Sequence, residues 1–153
     1  MARTTTALPA LATLTLTTLL CGCMSSSPPG LEVTGARVGP STEGRSVVLI
    51  EIVASNPNKD GLPLKGVSYS VEMSGEKVFE GRRDAQASIR GYGLQKFTLP
   101  VPVSSSYIAA GTTRFRVKGE LTYVAPETLA RTLYDNNLRD WKTSFVGEGV
   151  VGQ

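Results

Sequence analysis

In the stretch from Arg114 to Tyr123, Phe115, Val117, Gly119, Leu121 and Tyr123 alternate without a break with Arg114, Arg116, Lys118, Glu120 and Thr122. An extended backbone turns each successive side chain to the opposite face, so this order collects every apolar group on one side; a helix would scatter them. The same period recurs at Val67, Tyr69, Val71 and Met73, and again at Phe97, Leu99, Val101 and Val103. Gly, Pro and Asn punctuate these segments, which is the signature of an antiparallel sheet protein. In the Phe97 segment Pro100 and Pro102 fall on the non-core positions, where a residue without an N–H is tolerated on an edge strand.

Other segments complete the frame. Residues 47–54 are nearly all apolar and rich in β-branched side chains, as expected of a central strand in the middle of the core. Residues 31–39 and 145–151 supply weaker first and last strands, and residues 76–81 return from a hairpin turn at Ser74-Gly75. One segment departs from the pattern: residues 126–134 carry Pro and Glu in a potential first turn and Leu129, Leu133 and Tyr134 on one face. They read as a short helix ended by Asn136-Asn137. Trp141 follows and is expected to cover an open end of the body. About seven strands at this spacing, with one short helical insertion, predict an all-β, two-layer antiparallel sandwich.

At the N-terminus Arg3 is followed by a run of Leu, Ala and Thr without an acidic residue, the layout of a secretory signal peptide and too short and Thr-rich for a membrane span. Leu20-Cys21-Gly22-Cys23 resembles the bacterial lipobox, in which a small residue precedes the cysteine that is acylated. The resemblance implies a lipoprotein signal over residues 1–22 and lipidation at Cys23, with Cys21 as the alternative. It also implies three acyl chains, enough for a lasting membrane anchor. Residues 23–30 then read as a flexible tether and residues 31–153 as the folded domain. Met24, where inner-membrane lipoproteins tend to carry Asp, points by the same resemblance to the periplasmic face of the outer membrane, with the inner membrane as the alternative.

Composition narrows the chemistry. There is no histidine, and the two cysteines both lie at the signal. Ser–His and Cys–His nucleophiles are therefore excluded, and the usual zinc ligand sets and a disulfide framework are missing. Glu51, Asp60, Glu72, Glu76, Glu80 and Asp84 stand singly, without the setting of a paired-carboxylate site. Neither a catalytic residue, a metal site nor a cofactor is expected. Lys and Arg number 16 against 13 acidic residues, without the clustering of a nucleic-acid binder. Arg114, Arg116 and Lys118 project from one strand face and are the candidate contact for anionic head groups or cell-wall polymers.

Val53-Ala54-Ser55-Asn56-Pro57-Asn58, then Leu62-Pro63-Leu64 and Val67-Ser68-Tyr69-Ser70-Val71, resemble the type 2 late embryogenesis abundant family, which includes the water-stress and hypersensitive-response domain. Gly75, Val78, Phe79 and Gly81 continue the likeness, as does Phe115-x-Val117-x-Gly119-x-Leu121. On physical grounds Asn56-Pro57-Asn58 is a strand terminator: Pro57 bars helical angles at Asn56, and the Asn side chains can bond nearby backbone. The resemblance implies an immunoglobulin- or fibronectin III-like sandwich and a role in tolerance of drying, cold or osmotic stress. The expected function is a non-enzymatic, membrane-anchored stress-protection module of the cell envelope. Its alternatives are a binding module for lipid or another apolar ligand, and an accessory subunit among envelope proteins.

Overall fold

A computed structural model describes residues 26–42, 44–109, 111 and 113–152. Cys21 and Cys23 lie outside the described residues. Seven strands and two short helices follow in chain order: β1 Gly30–Thr42, β2 Arg45–Ser55, β3 Leu62–Met73, β4 Glu76–Ile89, β5 Leu94–Ser104, α1 Ser105–Ala109, β6 Arg114–Tyr123, α2 Thr128–Asp135 and β7 Trp141–Gly152. All seven strands belong to one hydrogen-bonded order, β4-β3-β6-β7-β1-β2-β5. The sheet curls until its two edges, β4 and β5, approach each other, giving a nearly closed, barrel-like body. Six neighbouring pairs make up this order, and five are antiparallel. The sixth, β1 with β7, is parallel and, among the described residues, holds only Ala36 opposite Val151 and Arg37 opposite Gly152.

The core follows from the alternation. Val48, Ile50, Ile52 and Ala54 of β2, Val67, Tyr69, Val71 and Met73 of β3, Leu99, Val101 and Val103 of β5, and Phe115, Val117, Leu121 and Tyr123 of β6 are all buried. β2 lies between β1 and β5, as a central strand should. Its long apolar run nevertheless alternates in depth: Val47, Leu49 and Val53 are only half-buried, because this sheet has one dry face.

Two changes of parity are absorbed by irregularities in the ladders. Leu62 and Leu64 are even-numbered, while Val67, Tyr69, Val71 and Met73 are odd, so strict alternation would put them on opposite faces. A shift between Leu64 and Gly66, present in both pairings of β3, inserts one residue and keeps both sets inside. The shift between Val33 and Gly35 does the same for β1.

The Ser74-Gly75 turn has φ of 51° and 88°, the left-handed pair of a two-residue hairpin. Gly119 stands opposite Phe145 on β7, and a Cβ there would overlap the Phe145 ring; its absence lets the ring bury against the sheet. The helical insertion forms at Thr128–Asp135, with Pro126 left outside it. Glu127 occupies the N-cap without capping the helix; its carboxylate accepts from Ser26 Oγ at 2.9 Å. Asn136 and Asn137 end the helix as expected, Asn137 at φ 54°.

Several boundaries differ from expectation. β4 continues to Ile89, well past residue 81, and α1 was not foreseen. Trp141 does not sit in a loop over the open end: it opens β7 opposite Tyr123, half-buried, with the Arg139 guanidinium 5.3 Å from its ring centre.

Candidate functional site

β2 runs toward one end of the barrel and stops at Asn56-Pro57-Asn58. Asn56 is 3% exposed, although a primary amide buried without partners costs several kcal/mol. Here it is fully used. Its backbone N–H donates to Gly93 O at 3.0 Å, and Nδ2 donates to Asp60 O at 2.8 Å. Nδ2 also lies 3.2 Å from Arg90 O and 3.3 Å from Ile89 O, so its two hydrogens are shared among three carbonyls. Oδ1 accepts from Asn58 N and from Asn58 Nδ2, both at 2.9 Å. The expected terminator is therefore also a hub that ties the β2–β3 connection to the β4–β5 connection.

The N-terminal segment joins the same hub. Ser27 N donates to Asn58 Oδ1 at 2.8 Å, and Asn58 Nδ2 donates back to Ser27 O at 2.9 Å. With the Ser26–Glu127 bond, this lays residues 26–29 across the end of the barrel, between the hub and the connection that carries α2.

The β4–β5 connection packs backbone to backbone on the hub. Tyr92 N donates to Asn58 O at 2.9 Å and Gly93 N to Arg90 O at 3.0 Å. A Cβ on Gly91 would overlap Lys59 O, so only glycine permits this approach. The price of the tight path is Tyr92, held at φ 54° with its side chain turned outward and 76% exposed.

Arg114, Arg116 and Lys118 share the outward face of β6 as expected, flanked by the carboxylates of β3 and β7. Arg116 Nε bonds Glu148 Oε1 at 2.7 Å, and this hydrogen bond, then the carboxylate's charge, pushes the guanidinium pKa up. Lys118 Nζ is 3.9 Å from Glu72, and next to them Lys142 Nζ is 2.9 Å from Glu120. Arg114 lies at the far end, beside Ser74 and Gly75, with no ion pair among the described residues. Two of the three cations thus already have partners.

Along the seam where β4 faces β5, no ladder forms among the described residues. Tyr69 Oη reaches across the interior to Pro100 O at 2.7 Å, and Arg83 Nη1 donates to Thr98 O at 3.2 Å. Burial, opposed by the nearby Arg83 charge, raises the Tyr69 pKa and keeps its hydroxyl a donor. A cleft of about 250 Å³ opens here between Val67, Ala85 and Phe97, and one of about 530 Å³ between Val78, Val103 and Tyr107.

Residues 51–134, just over half of the chain, match the family described as late embryogenesis abundant protein, type LEA_2. The chain belongs to that family.

This LEA domain is similar in fold to the solution structure of AT1g01470 from Arabidopsis thaliana, with a TM-score of 0.62, 13% identity and 84% of each chain covered. It is also similar to a solution structure named for a LEA protein, At2g46140.1, with a TM-score of 0.60 and 16% identity, covering 80% of this chain and 70% of that one. In sequence it is 28% identical over 87 residues to an uncharacterized protein of Methanocaldococcus jannaschii, which is 55% of this chain and 48% of that protein. The chain thus spans about half the length of this relative.

The family match begins inside β2 and ends in α2, so it contains the hub, the Tyr92 connection and both sides of the seam. It leaves out β1, β7 and residues 26–29. The Ser27–Asn58 bonds therefore join a segment outside the matched stretch of the LEA domain to one within it. Sequence reasoning marked Asn56 and Asn58 but not Tyr69 as a tie, nor Tyr92. The glycines on both sides of Tyr92 were the available signal for the latter.

Proposed function

We propose that this LEA domain is a non-enzymatic stress-protection module of the cell envelope, lipid-anchored through Cys23 and acting in desiccation or osmotic tolerance. The observation that carries the reading is the family match over residues 51–134. The sequence supports the address, through the signal-like run that closes on Gly22-Cys23. The lack of histidine and the satisfied polar groups around Asn56 favour a body whose shape, not a reactive group, is its contribution. In fold we read the two sets of ladders, joined thinly at β1 and β7, as the layers of a flattened barrel of immunoglobulin or fibronectin III type.

The test is a deletion strain challenged by drying and by osmotic shock, complemented with the wild-type gene and with Cys23→Ser. Survival should fall on deletion, return with the wild type and return only in part with Cys23→Ser. Unchanged survival, with another envelope trait lost, would contradict the proposal. A second reading, binding of an amphiphilic ligand such as a lipid, draws on the two seam clefts, where Val78, Val103, Ala85 and Phe97 stand beside the charged Arg45, Lys77, Arg83 and Asp84. Mass spectrometry of the purified protein for retained lipid decides it, and a lipid-free protein counts against it.

A further inference from the structure

We infer that the end of the barrel bearing the Asn56 hub is a membrane-contact face, with Tyr92, Leu94 and Leu138 entering the lipid interface beside Lys59, Arg90 and Lys96. Three observations converge on this end.

The first is where large apolar side chains are left in water. Tyr92 is 76% exposed, and Leu94 and Leu138 are each 72% exposed, the highest values among the exposed large hydrophobics. They stand at the start of β5 and just before β7, on the two sides of the point where β1 begins. Tyr92 serves neither packing nor backbone ease: its ring is in solvent, and its left-handed φ would suit glycine better. The hydrogen bonds from Tyr92 N and Gly93 N hold the connection still, so the ring is presented on a fixed support. Aromatic side chains with an apolar body and a polar tip suit the lipid–water boundary.

The second is charge. Lys59, Arg90 and Lys96 flank Tyr92 and Leu94, are exposed, and make no ion pair among the described residues, in contrast to Arg116, Lys118 and Lys142 on the sheet face. The carboxylates on this side of the chain are Asp60, next to Lys59, and the exposed Asp135 and Asp140, within three residues of Leu138. Cations beside exposed apolar groups match an anionic bilayer surface.

The third is the course of the chain, and here the inference rests on the anchored reading. Ser26 and Ser27 are bonded to this end of the body, not held away from it. Only three residue steps separate Ser26 from Cys23, a reach of at most about 10 Å. An acyl group on Cys23 therefore brings this end, and not the opposite one, against the bilayer.

The experiment uses the full mature protein in vesicles of phosphatidylglycerol and phosphatidylethanolamine containing brominated lipid. The reporters are Tyr92→Trp at this end and Thr42→Trp at the other, each with Trp141→Phe. Leu94→Trp serves as a second reporter should Tyr92→Trp disturb its connection. The expected result is about twofold quenching at positions 92 and 94 and none at position 42. Equal quenching at both ends, or quenching at neither, overturns the face. The mass of the same protein reports acylation separately. Missing acyl mass with end-specific quenching sinks the anchor and keeps the face; acyl mass without end-specific quenching does the reverse.

Discussion

The two ends of the barrel are built by different means. At one end the connections are long, residues 56–61, 90–93 and 124–140, and a buried amide gathers two of them together with the N-terminal segment. At the other end two of the connections are tight, and their glycines take up the curvature: Gly44 at φ 74° and Gly75 at φ 88°. Polar side-chain contacts there are Ser46 with Ser105 at 3.2 Å, Tyr107 to Glu76 at 2.6 Å, and, in the one long connection, the buried Thr113 hydroxyl, which donates to Tyr107 O. Short turns are self-sufficient, because local dihedral preferences specify them. Long connections need a tertiary organiser, and Asn56 is that organiser here.

The largest effect should come from breaking the organiser. Asn56→Ala leaves buried carbonyls at Ile89 and the Asn58 amide without a partner, and should cost about 3 kcal/mol. Denaturant unfolding should show a lower midpoint at unchanged slope. Ser104→Ala at the opposite end loses only exposed contacts with Ser106 and should stay within about 0.5 kcal/mol. Comparable losses at both ends would remove the distinction.

The seam comes next. Tyr69→Phe keeps the ring against Phe79, 5.1 Å away, but leaves Pro100 O without its donor, a loss of about 1–2 kcal/mol. The same residue predicts a pH dependence. Burial raises the folded pKa of Tyr69 and, with the Glu127 charge as a lesser cause, that of Tyr123. A raised pKa favours the protonated hydroxyl in the fold. This stability is complete below the unfolded tyrosine value of about 10 and is lost as pH climbs through the higher folded values. Urea unfolding across the alkaline range should show that decline, and Tyr69→Phe should make it shallower.

Smaller effects sharpen the contrast. Tyr92→Gly relieves a left-handed non-glycine residue at little cost in packing and should be neutral or stabilising by about 0.5 kcal/mol in thermal unfolding. A marked loss would mean that Tyr92 is structural. Glu148→Gln on the exposed sheet face should leave stability unresolved from wild type by the same measurement, since Arg116 remains solvated.

Much of the frame was legible because its information is local. Phe115 to Tyr123 and Val67 to Met73 alternate in the sequence and in burial alike, and the parity change between Leu64 and Val67 already marks the bulge. The second half of β4 was not legible: Arg82, Arg83 and Asp84 are exposed, and an edge strand with wet side chains has no apolar rhythm. The Asn-Pro-Asn turn was readable as a stop from the dihedral limits of Pro57. Its partners Ile89, Arg90 and Gly93 lie more than thirty residues away, and no local pattern names them. The pairing of Arg116 with Glu148 was hidden for the same reason, since alternation places a charge on a face without saying what stands opposite.

Native-state hydrogen exchange tests the central claim, that one end of this domain is a fixed structure organised by Asn56, most directly. The amides of Asn56, Asn58, Tyr92 and Gly93 should exchange only through large-scale unfolding, and in Asn56→Ala they should exchange fast while the β2–β5 ladder stays protected. If those four amides exchange in the wild type as readily as exposed turn amides, the account of that end is wrong.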